Sequence, residues 1–349
     1  MESARPRTAS EFGLAGVAHD PGQVNAITDV GGVRVGHTTL VQGTDIRTGV
    51  TAIVPDGVDQ AGGQLAAGLF VGNGFGKLIG ATQLVELGVI ETPILLTGTL
   101  SAFRAADALV TYMLGLPGNE RMITVNPIVG ETNDGYLSDI RARPITEEHV
   151  LAAIGGASGG HVAQGCVGAG TGTAALGFKA GIGSASRLAR LADGSTATVG
   201  ALVQANFSGT LTVLGVPIDP HAALVAAQPE TGDVDDQPDG NSCMIIVAVD
   251  RGLGSRQLTR VAKRAVYAMG LVGADFAPGS GDYAIAFSTC QGPPVSDAAL
   301  GPVFSATLEA VSEALLNSVF MATTTTGYTG RVRHAVPIEF VLRATGRIM

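Results

Sequence analysis

The chain has 349 residues, of which 46% are hydrophobic and 15% charged. This composition is too apolar for a disordered protein, and the chain is long enough to bury one large core or two modest ones. Its 50 glycines follow no Gly-X-Y period, which excludes a collagen-like chain. Because 30 acidic residues outnumber 21 basic ones, the net charge is −9, the wrong sign for neutralising phosphates, and nucleic-acid binding is not expected.

The first half of the chain alternates strand-like and helix-like patterns. Residues 1–26 are polar and unpatterned, and we interpret them as an N-terminal arm. The strand-like runs lie at 27–40, 50–55, 69–74, 92–98 and 122–129. The helix-like runs lie at 77–87, 101–115 and 145–156, and the last leads into a glycine-dense region from 155 to 183.

The sharpest change in composition follows a strand-like run at 196–207. Residues 217–241 are rich in proline and acidic residues, and no Lys or Arg occurs between Arg190 and Arg251. This pattern predicts an exposed acidic linker. It ends at Ser242, where the apolar run CMIIVAV predicts a buried strand. Since a solvated segment leads directly into a core strand, we expect the linker to interrupt one fold rather than join two domains.

The chain after this strand continues the alternation. A helix with an apolar face is predicted at 255–270, a strand at 283–289, and a helix from the spacing of Phe304, Leu308, Val311, Leu315 and Val319. The final run IEFVLRA, at 338–344, is interpreted as a strand. Strands and helices that alternate in this way predict layers of an α/β fold.

Cysteine and histidine usage bears on compartment and metal binding. Cys166, Cys243 and Cys290 are an odd number without C-x-x-C spacing, which favours a reducing compartment over a disulfide framework or zinc cluster. The six histidines show no H-x-x-x-H or H-x-H spacing, so no metal site is predicted. The first twenty residues lack the apolar segment of a signal peptide, and later apolar stretches are interrupted before 18 residues. We therefore expect a soluble cytoplasmic protein without a membrane partner.

Two glycine-rich motifs resemble functional loops. The run GAGTG at 168–172 has no Walker lysine after it, which favours a turn over a nucleotide site. Residues 156–160 match G-x-S-x-G, but a predicted helix precedes them where a hydrolase nucleophile elbow requires a strand. We interpret both as glycine turns.

Ser242 stands where the acidic segment meets the buried strand. If the bond between Asn241 and Ser242 were cut, Ser242 would become a chain end held on a core strand. Its α-amino group, with an unperturbed pKa of about 7.7 to 8.0, could then serve as general base toward its own hydroxyl without a histidine. The alternative from the residues alone is that Ser242 is an ordinary residue at the start of a strand.

A second polar pair occurs at the entry to the next predicted strand. Ser280 and Asp282 are two residues apart, and in an extended segment such residues point to the same side. The pair could hold an ammonium group or relay a hydrogen bond through the hydroxyl. The alternative is a simple turn, PGSGD.

Taken together, seven segments resemble the family of L-aminopeptidase/D-amino-acid esterase-amidases and β-peptidyl aminopeptidases, which are self-processing N-terminal-nucleophile hydrolases. The resemblance extends from Ile27 to Leu342. It is carried by ITDVGGVRVGHTTL (27–40), VGETNDGYLSDI (129–140), VGAGTGT (167–173), VQANFSG (203–209), NSCMIIVAVD (241–250), GSGDYAIAFST (279–289) and EALLNSVFMATTTTG (313–327).

The resemblance implies a four-layer α/β/β/α sandwich of the Ntn-hydrolase type. It implies autoproteolysis between Asn241 and Ser242, giving an α chain (27–241, with 217–241 as processing linker) and a β chain (242–349). These two chains would form one domain, assembled into a homo-oligomer.

The resemblance also assigns roles to individual residues. Ser242 would be the nucleophile of both processing and catalysis, oriented by Ser280 and Asp282. The side chain of Asn206 would help form an oxyanion hole. Glu131 and Tyr136 would contact the substrate, and Glu131 is the better candidate for holding the free amino terminus of the substrate. No metal or organic cofactor is implied.

The expected function is therefore hydrolysis of N-terminal residues from short peptides, amino-acid amides or esters through an acyl-enzyme on Ser242. Two alternatives remain. One is hydrolysis of β- or ω-amino-acid oligomer amides by the same chemistry, although Asp282 is shorter than the Glu of some β-peptide-cleaving relatives. The other is an uncleaved binding homologue, favoured by the altered segment Val249-Asp250-Arg251-Gly252-Leu253. Cys243 is expected to be a small buried residue without a chemical role.

Overall fold

The computed structural model describes residues 6–16, 18–58, 60–227 and 241–348. The strands are β1 (Val33–Gln42), β2 (Ile46–Pro55), β3 (Leu65–Gly74), β4 (Val89–Ile90), β5 (Ile94–Gly98), β6 (Ile128–Thr132), β7 (Ala174–Ala175), β8 (Phe178–Lys179), β9 (Ile182–Arg190), β10 (Thr196–Asn206), β11 (Thr212–Val213), β12 (Val216–Pro217), β13 (Ser242–Val249), β14 (Gly281–Ser288), β15 (Thr325–Thr326) and β16 (Val332–Arg333). The helices are α1 (Ala81–Leu87), α2 (Ala102–Leu114), α3 (Glu147–Gly155), α4 (Pro220–Ala227), α5 (Ser255–Leu271), α6 (Leu300–Phe320) and α7 (Ile338–Ala344).

Two sheets stacked between two pairs of helices form the fold. The first sheet has strand order β1-β2-β5-β6, and the second has the order β4-β3-β14-β13-β10-β9. Helices α2 and α3 cover the outer face of the first sheet, and α5 and α6 cover the outer face of the second. The expected four-layer α/β/β/α sandwich is therefore confirmed.

Strand β13 is buried on both faces because it lies in the middle of this stack. Cys243, Ile245 and Val247 pack in the core shared with α5 and α6, whereas Met244 and Ile246 pack in the core between the sheets. A strand with two buried faces reads as a continuous apolar run rather than an alternating one. This is why CMIIVAV has no polar residue.

The register of the second sheet brings three distant segments to one end. Strand β13 pairs in parallel with β14 so that Ser242 lies opposite Gly281, and it pairs antiparallel with β10 so that Ser242 lies opposite Asn206. On its other side β14 pairs with β3, where Asp282 lies opposite Asn73. The sheet therefore places the predicted nucleophile, the Ser280–Asp282 pair and Asn206 side by side.

Helix α6 is the main helix of the core. Together with its preceding turn it is long and apolar enough, by length and composition alone, to cross a membrane, but 56% of its most apolar window is buried within the structure. It packs against β9, β10 and α5. That position is the one expected of a core helix.

The interpretation of the last run as a strand is wrong, because Ile338–Ala344 forms helix α7. A seven-residue apolar run does not distinguish strand from helix by periodicity. Pro337 precedes the helix, and Val341 packs into the core on its inner face. The run at 122–129 also contributes less strand than expected: β6 begins only at Ile128, after Pro127, which cannot donate a ladder hydrogen bond.

The segment predicted as an exposed linker, 217–241, contains a helix within its described residues. Its first part forms helix α4, in which Ala223 and Leu224 are buried against the core. The prolines on either side of this short apolar stretch led to its interpretation as a linker rather than a helix. Residues 228–240 lie outside the described residues.

The N-terminal arm packs closely against α6. Ala9 and Leu14 are buried, and the Ala9 amide donates a 2.7 Å hydrogen bond to Asn317 Oδ1. Ser10 Oγ donates to Glu313 Oε1 at 2.5 Å, and the same glutamate forms a buried ion pair with Arg187. The arm is thus a covering layer of the fold, which its polar composition did not indicate.

Candidate active site

The bond predicted to be cut lies at the start of β13. Ser242 is buried, with only 6% of its surface exposed, and its Oγ donates a 2.5 Å hydrogen bond to the carbonyl oxygen of Asn241. The backbone N–H of Gly281 donates to the same oxygen at 3.0 Å. The hydroxyl therefore lies beside the carbonyl that it would attack, and a fixed donor polarises that carbonyl.

Gly281 has to be glycine for this geometry to exist. A Cβ at this position would lie 2.6 Å from both N and Cα of Gly76, and 3.3 Å from Ser242 Oγ. Gly281 on β14 is packed between Gly76, in the segment after β3, and the Ser242 hydroxyl, so there is no room for a side chain at position 281. Its N–H is thereby held against the Asn241 carbonyl.

Ser280 and Asp282, which the sequence predicts to point to the same side, are hydrogen-bonded to each other. Ser280 Oγ donates to Asp282 Oδ1 at 2.8 Å, and Asn73 Nδ2 donates to the other carboxylate oxygen at 3.0 Å. Both Ser280 and Asp282 are buried. Burial raises the pKa of Asp282, and the hydrogen bonds from Ser280 and Asn73 oppose that rise.

Cys243, next to the nucleophile, is fully buried among the residues of the helix-side core. Burial raises the pKa of this thiol well above its usual range, and the nearby Asp282 carboxylate adds to the rise. A neutral thiol in an apolar core is a packing residue. This agrees with the role expected from the sequence.

Asn206 lies directly opposite Ser242 at the end of β10. Its Oδ1 accepts a 3.1 Å hydrogen bond from the Ala174 amide, and its Nδ2 donates to the carbonyl oxygen of Asn133 at 3.0 Å. An amide NH₂ has two hydrogens, and the bond to Asn133 uses one of them. Asn206 therefore lies in the cavity beside Ser242, where the sequence predicts an oxyanion donor.

Glu131 is a buried carboxylate at the end of β6. Its Oε1 accepts a 2.7 Å hydrogen bond from the Lys77 amide, and the hydroxyl of Thr99 donates to its Oε2. A buried carboxylate is costly to leave without a partner, and an ammonium group can pair with it through charge-assisted hydrogen bonds. The structure is thus compatible with the amino-terminus role expected for Glu131.

A second buried carboxyl group, Asp134, lies near Glu131. Burial raises the pKa of Asp134 to about 6, and the charge of Glu131 adds to the rise. Gly98 and Gly172 pack against Asp134 so tightly that a Cβ on Gly98 would lie 2.7 Å from its Oδ2.

A cavity of about 350 Å³ joins these groups. Its walls include Ser242, Asn241, Asn206, Glu131 and Tyr136, so the predicted nucleophile, oxyanion donor and substrate-contact residues share one space. Ser280 and Asp282 do not line the cavity but lie beside Ser242 in the sheet. Every residue predicted for the site from the sequence is therefore in this region.

Several residues of the site were not predicted. Asn73, Gly281 and Thr99 hold the site residues through hydrogen bonds, and Arg333 lines the cavity. For Asn73 a signal existed, since an asparagine between two glycines at a strand end is unusual for a purely structural strand. Thr99 and Arg333 gave no local signal.

The part of the chain that the structure describes contains no cluster of side chains suited to binding a metal ion. No group of three or more His, Cys, Asp or Glu side chains is arranged there to hold an ion. His37 is hydrogen-bonded to Thr51, and burial lowers its pKa to about 4.

Comparison with known proteins places this site in a family. The sequence model of Peptidase family S58 matches residues 25–333. The chain belongs to this peptidase family. It is 36% identical to the beta-peptidyl aminopeptidase BapA of Sphingosinicella xenopeptidilytica, over 93% of this chain and 87% of that protein. The resemblance stated from the sequence motifs is confirmed.

Two solved structures share the whole architecture. The PH0078 protein of Pyrococcus horikoshii OT3 superimposes with a TM-score of 0.87 at 42% identity, covering 98% of this chain and 99% of that one. The L-aminopeptidase D-Ala-esterase/amidase of Ochrobactrum anthropi, described as a variant of the Ntn-hydrolase fold, has a TM-score of 0.87 at 31% identity, covering 98% and 99%. The chain accordingly has an Ntn-hydrolase-like fold and is a hydrolase of the aminopeptidase type.

Proposed function

We propose that this protein is an autoprocessing serine aminopeptidase that releases N-terminal residues from short peptides, amino-acid amides or esters. One observation carries the proposal. The Ser242 hydroxyl and the Gly281 N–H both contact the Asn241 carbonyl oxygen, at the start of a rigid strand inside the cavity. This is the geometry needed for attack on that peptide bond.

In the processing step, Ser242 Oγ attacks the carbonyl carbon of Asn241. The C–O bond forms first and gives a tetrahedral intermediate. The C–N bond then breaks, and the Ser242 nitrogen takes up the hydroxyl proton to become an amine. Water then hydrolyses the resulting ester, leaving a carboxylate on Asn241 and a free hydroxyl on Ser242. The Gly281 N–H stabilises the negative oxygen of the tetrahedral intermediate.

In turnover, the freed α-amine of Ser242 removes the hydroxyl proton and returns it to the leaving amine or alcohol. An unperturbed α-amine has a pKa of about 7.7 to 8.0, close to the operating pH that general-base catalysis favours. Ser280 and Asp282 are hydrogen-bonded to each other at the start of β14, the strand paired with β13. We propose that this pair orients the amine and the hydroxyl of Ser242. Asn206 supplies a donor to the oxyanion of the acyl-transfer step.

Glu131 restricts the reaction to chain ends. A substrate ammonium can replace bulk water as the partner of this carboxylate, whereas an internal peptide nitrogen carries no charge to pair with it. We propose that Tyr136 contacts the same substrate across the cavity. The mechanism requires no cofactor, because nucleophile, base and oxyanion donors are all groups of the chain.

We further propose that the cleaved α and β chains stay together as one domain in a cytoplasmic homo-oligomer. The interleaving of the two parts supports their association: β13 and β14 of the β chain lie between β3 and β10 of the α chain. Separating them would expose both faces and both edges of two apolar strands. The odd number of cysteines, without C-x-x-C spacing, supports a reducing compartment such as the cytoplasm.

Hydrolysis of β- or ω-amino-acid amides is the second candidate, favoured by the identity to a beta-peptidyl aminopeptidase. The test is a pair of kcat/KM measurements on an α-amino-acid p-nitroanilide and its β-amino-acid homologue. A higher value for the first supports the α-aminopeptidase, and a higher value for the second supports the alternative. Failure to hydrolyse either, with a chain that stays uncleaved, would indicate a binding homologue.

A further inference from the structure

Residues 75–77, here called the rim segment, follow strand β3 and line the cavity. The two ends of the rim segment are anchored to different parts of the site. The Phe75 N–H donates to the carbonyl oxygen of Ser280 at 3.1 Å, and the Lys77 N–H donates to Glu131 Oε1 at 2.7 Å. The backbone of the rim segment is therefore fixed both beside the nucleophile strand and at the carboxylate proposed to bind the substrate ammonium.

The middle of the rim segment packs against β14. A Cβ on Gly76 would lie 3.1 Å from Gly281 Cα and 3.4 Å from Glu131 Oε1. The Gly76 carbonyl oxygen also accepts a 2.8 Å hydrogen bond from the Tyr283 hydroxyl. In the proposed function, the N-terminal residue of the substrate has its ammonium at Glu131 and its carbonyl at Ser242. The rim segment thus runs beside that residue.

The two side chains of the rim segment are exposed and lie together. Phe75 has 71% of its surface exposed, and the Lys77 ammonium lies 5.4 Å from the centroid of the Phe75 ring. An aromatic face attracts a cation without neutralising its charge. The ring therefore holds a positive charge at the edge of the cavity.

The position of the Lys77 backbone decides which part of a substrate meets this charge. Because the Lys77 amide bonds to the carboxylate that would hold the substrate ammonium, the Lys77 side chain begins next to the Cα that carries this ammonium. The side chain of the N-terminal residue begins at the same Cα. Arg333 also lines the cavity, but the guanidinium lies against a different residue, with its carbon 4.2 Å from the centroid of the Tyr136 ring.

We propose that Lys77 is a specificity-determining residue that favours an acidic side chain on the N-terminal residue of the substrate and disfavours a basic one. This rests on the proposed aminopeptidase function and deepens it. The ammonium attracts a carboxylate and repels a second ammonium through the same Coulomb interaction. Since water and salt screen exposed charge pairs, we expect a discrimination of about 2- to 5-fold in kcat/KM.

The test compares the p-nitroanilides of glutamate and glutamine, which differ in charge and very little in shape. The unaltered protein should show a kcat/KM about 2- to 5-fold higher for the glutamate substrate, and about 1 M sodium chloride should bring this ratio close to one. The difference should lie in KM, because a side chain remote from the reacting bond is bound alike in the ground state and the transition state.

The variant Lys77→Glu reverses the charge and keeps the backbone N–H that holds Glu131. The ratio should fall below one, about 10-fold lower than in the unaltered protein, because attraction becomes repulsion. Lys77→Met should bring the ratio close to one. The matched control is Lys263→Glu, which makes the same change in net charge. Lys263 also lies 5.4 Å from a phenylalanine ring, that of Phe70, but does not line the cavity, so this variant should keep the ratio within about twofold.

A second pair of substrates, alanyl-alanine and alanyl-alaninamide, carries the carboxylate on the leaving residue instead. Lys77→Glu should change the ratio of this pair less than that of the first pair. A shift confined to the second pair would place Lys77 beside the leaving residue and overturn the assignment.

The proposal is also overturned if Lys77→Glu leaves the first ratio unchanged, or if Lys263→Glu lowers it equally. Should the Lys77 variants fail to fold, the unaltered protein decides the matter: a ratio that does not exceed one at low salt, or that salt does not lower, contradicts the proposal. Failure of the aminopeptidase function is distinguishable, because then the p-nitroanilides of glutamine and alanine are not hydrolysed either.

Discussion

The substitution Asp282→Asn tests whether the buried carboxylate serves catalysis or the fold. It keeps the shape of the side chain, removes the charge and replaces one acceptor oxygen by an NH₂ donor. Asp282 now accepts from Ser280 at 2.8 Å and from Asn73 at 3.0 Å, so the variant retains an acceptor for only one of them. The cost of a lost hydrogen bond to a charged group is about 1.5 to 3 kcal/mol.

The variant also gains stability relative to the native chain, because burial raises the pKa of Asp282 and so makes its charged form costly in the folded state. Between the unfolded and the higher folded pKa, the native chain keeps a proton that the unfolded chain releases. The contribution of this group to stability therefore falls as pH rises through that window and stays reduced at neutral pH. Asn does not titrate and avoids this loss. We expect this gain to offset part of the lost hydrogen bond, so the free energy of unfolding at pH 7 should fall by less than about 3 kcal/mol.

Activity should respond much more strongly. Loss of a group that orients the general base lowers turnover by about 10²- to 10⁴-fold. The assays are kcat on an amino-acid p-nitroanilide and urea unfolding at several pH values. The matched control is Asp193→Asn, because Asp193 accepts a 2.6 Å hydrogen bond from Ser195, two residues away, in an exposed turn. Unchanged kinetics in Asp282→Asn would reduce the carboxylate to a turn residue, and collapse of the fold would make its role structural.

Three further predictions follow from the same geometry. Ser242→Ala should leave one folded, uncleaved chain without turnover, seen by denaturing electrophoresis, and efficient cleavage in this variant would remove Ser242 from the mechanism. Acetylating the amino group of a substrate should abolish its hydrolysis, because a neutral amide cannot pair with Glu131; equal rates for blocked and free substrates would contradict that role. Asn206→Ala, measured on cleaved material, should lower kcat by about 10²- to 10³-fold, and a change in KM alone would argue against an oxyanion donor.

The position of Ser242 at the start of a buried strand was predictable because its signal is local. Ser242 stands at an abrupt change from acidic to apolar sequence, and Ser280 and Asp282 stand two residues apart at a strand entry. The continuous apolar run after Ser242 reflects a strand buried on both faces. The family resemblance then supplied Asn206, Glu131 and Tyr136, which no spacing in the chain connects.

The remaining contacts depend on the register of distant strands. Asn73 reaches Asp282 only because β3 pairs with β14, and the Gly281 N–H reaches Asn241 only because β14 runs parallel to β13. The pairing of strands that are far apart in the chain cannot be inferred from local sequence patterns. The error at Ile338–Ala344 has a different cause, since a short apolar run fits either a strand or a helix until its packing is known.

Mass spectrometry of the intact, fully active protein tests the central step most directly. The account predicts two fragments whose boundary lies between Asn241 and Ser242, with the free amine of Ser242 at the start of the second. An active protein that consists of a single unbroken chain of 35.1 kDa would contradict it, because Ser242 would then have no amine to serve as base.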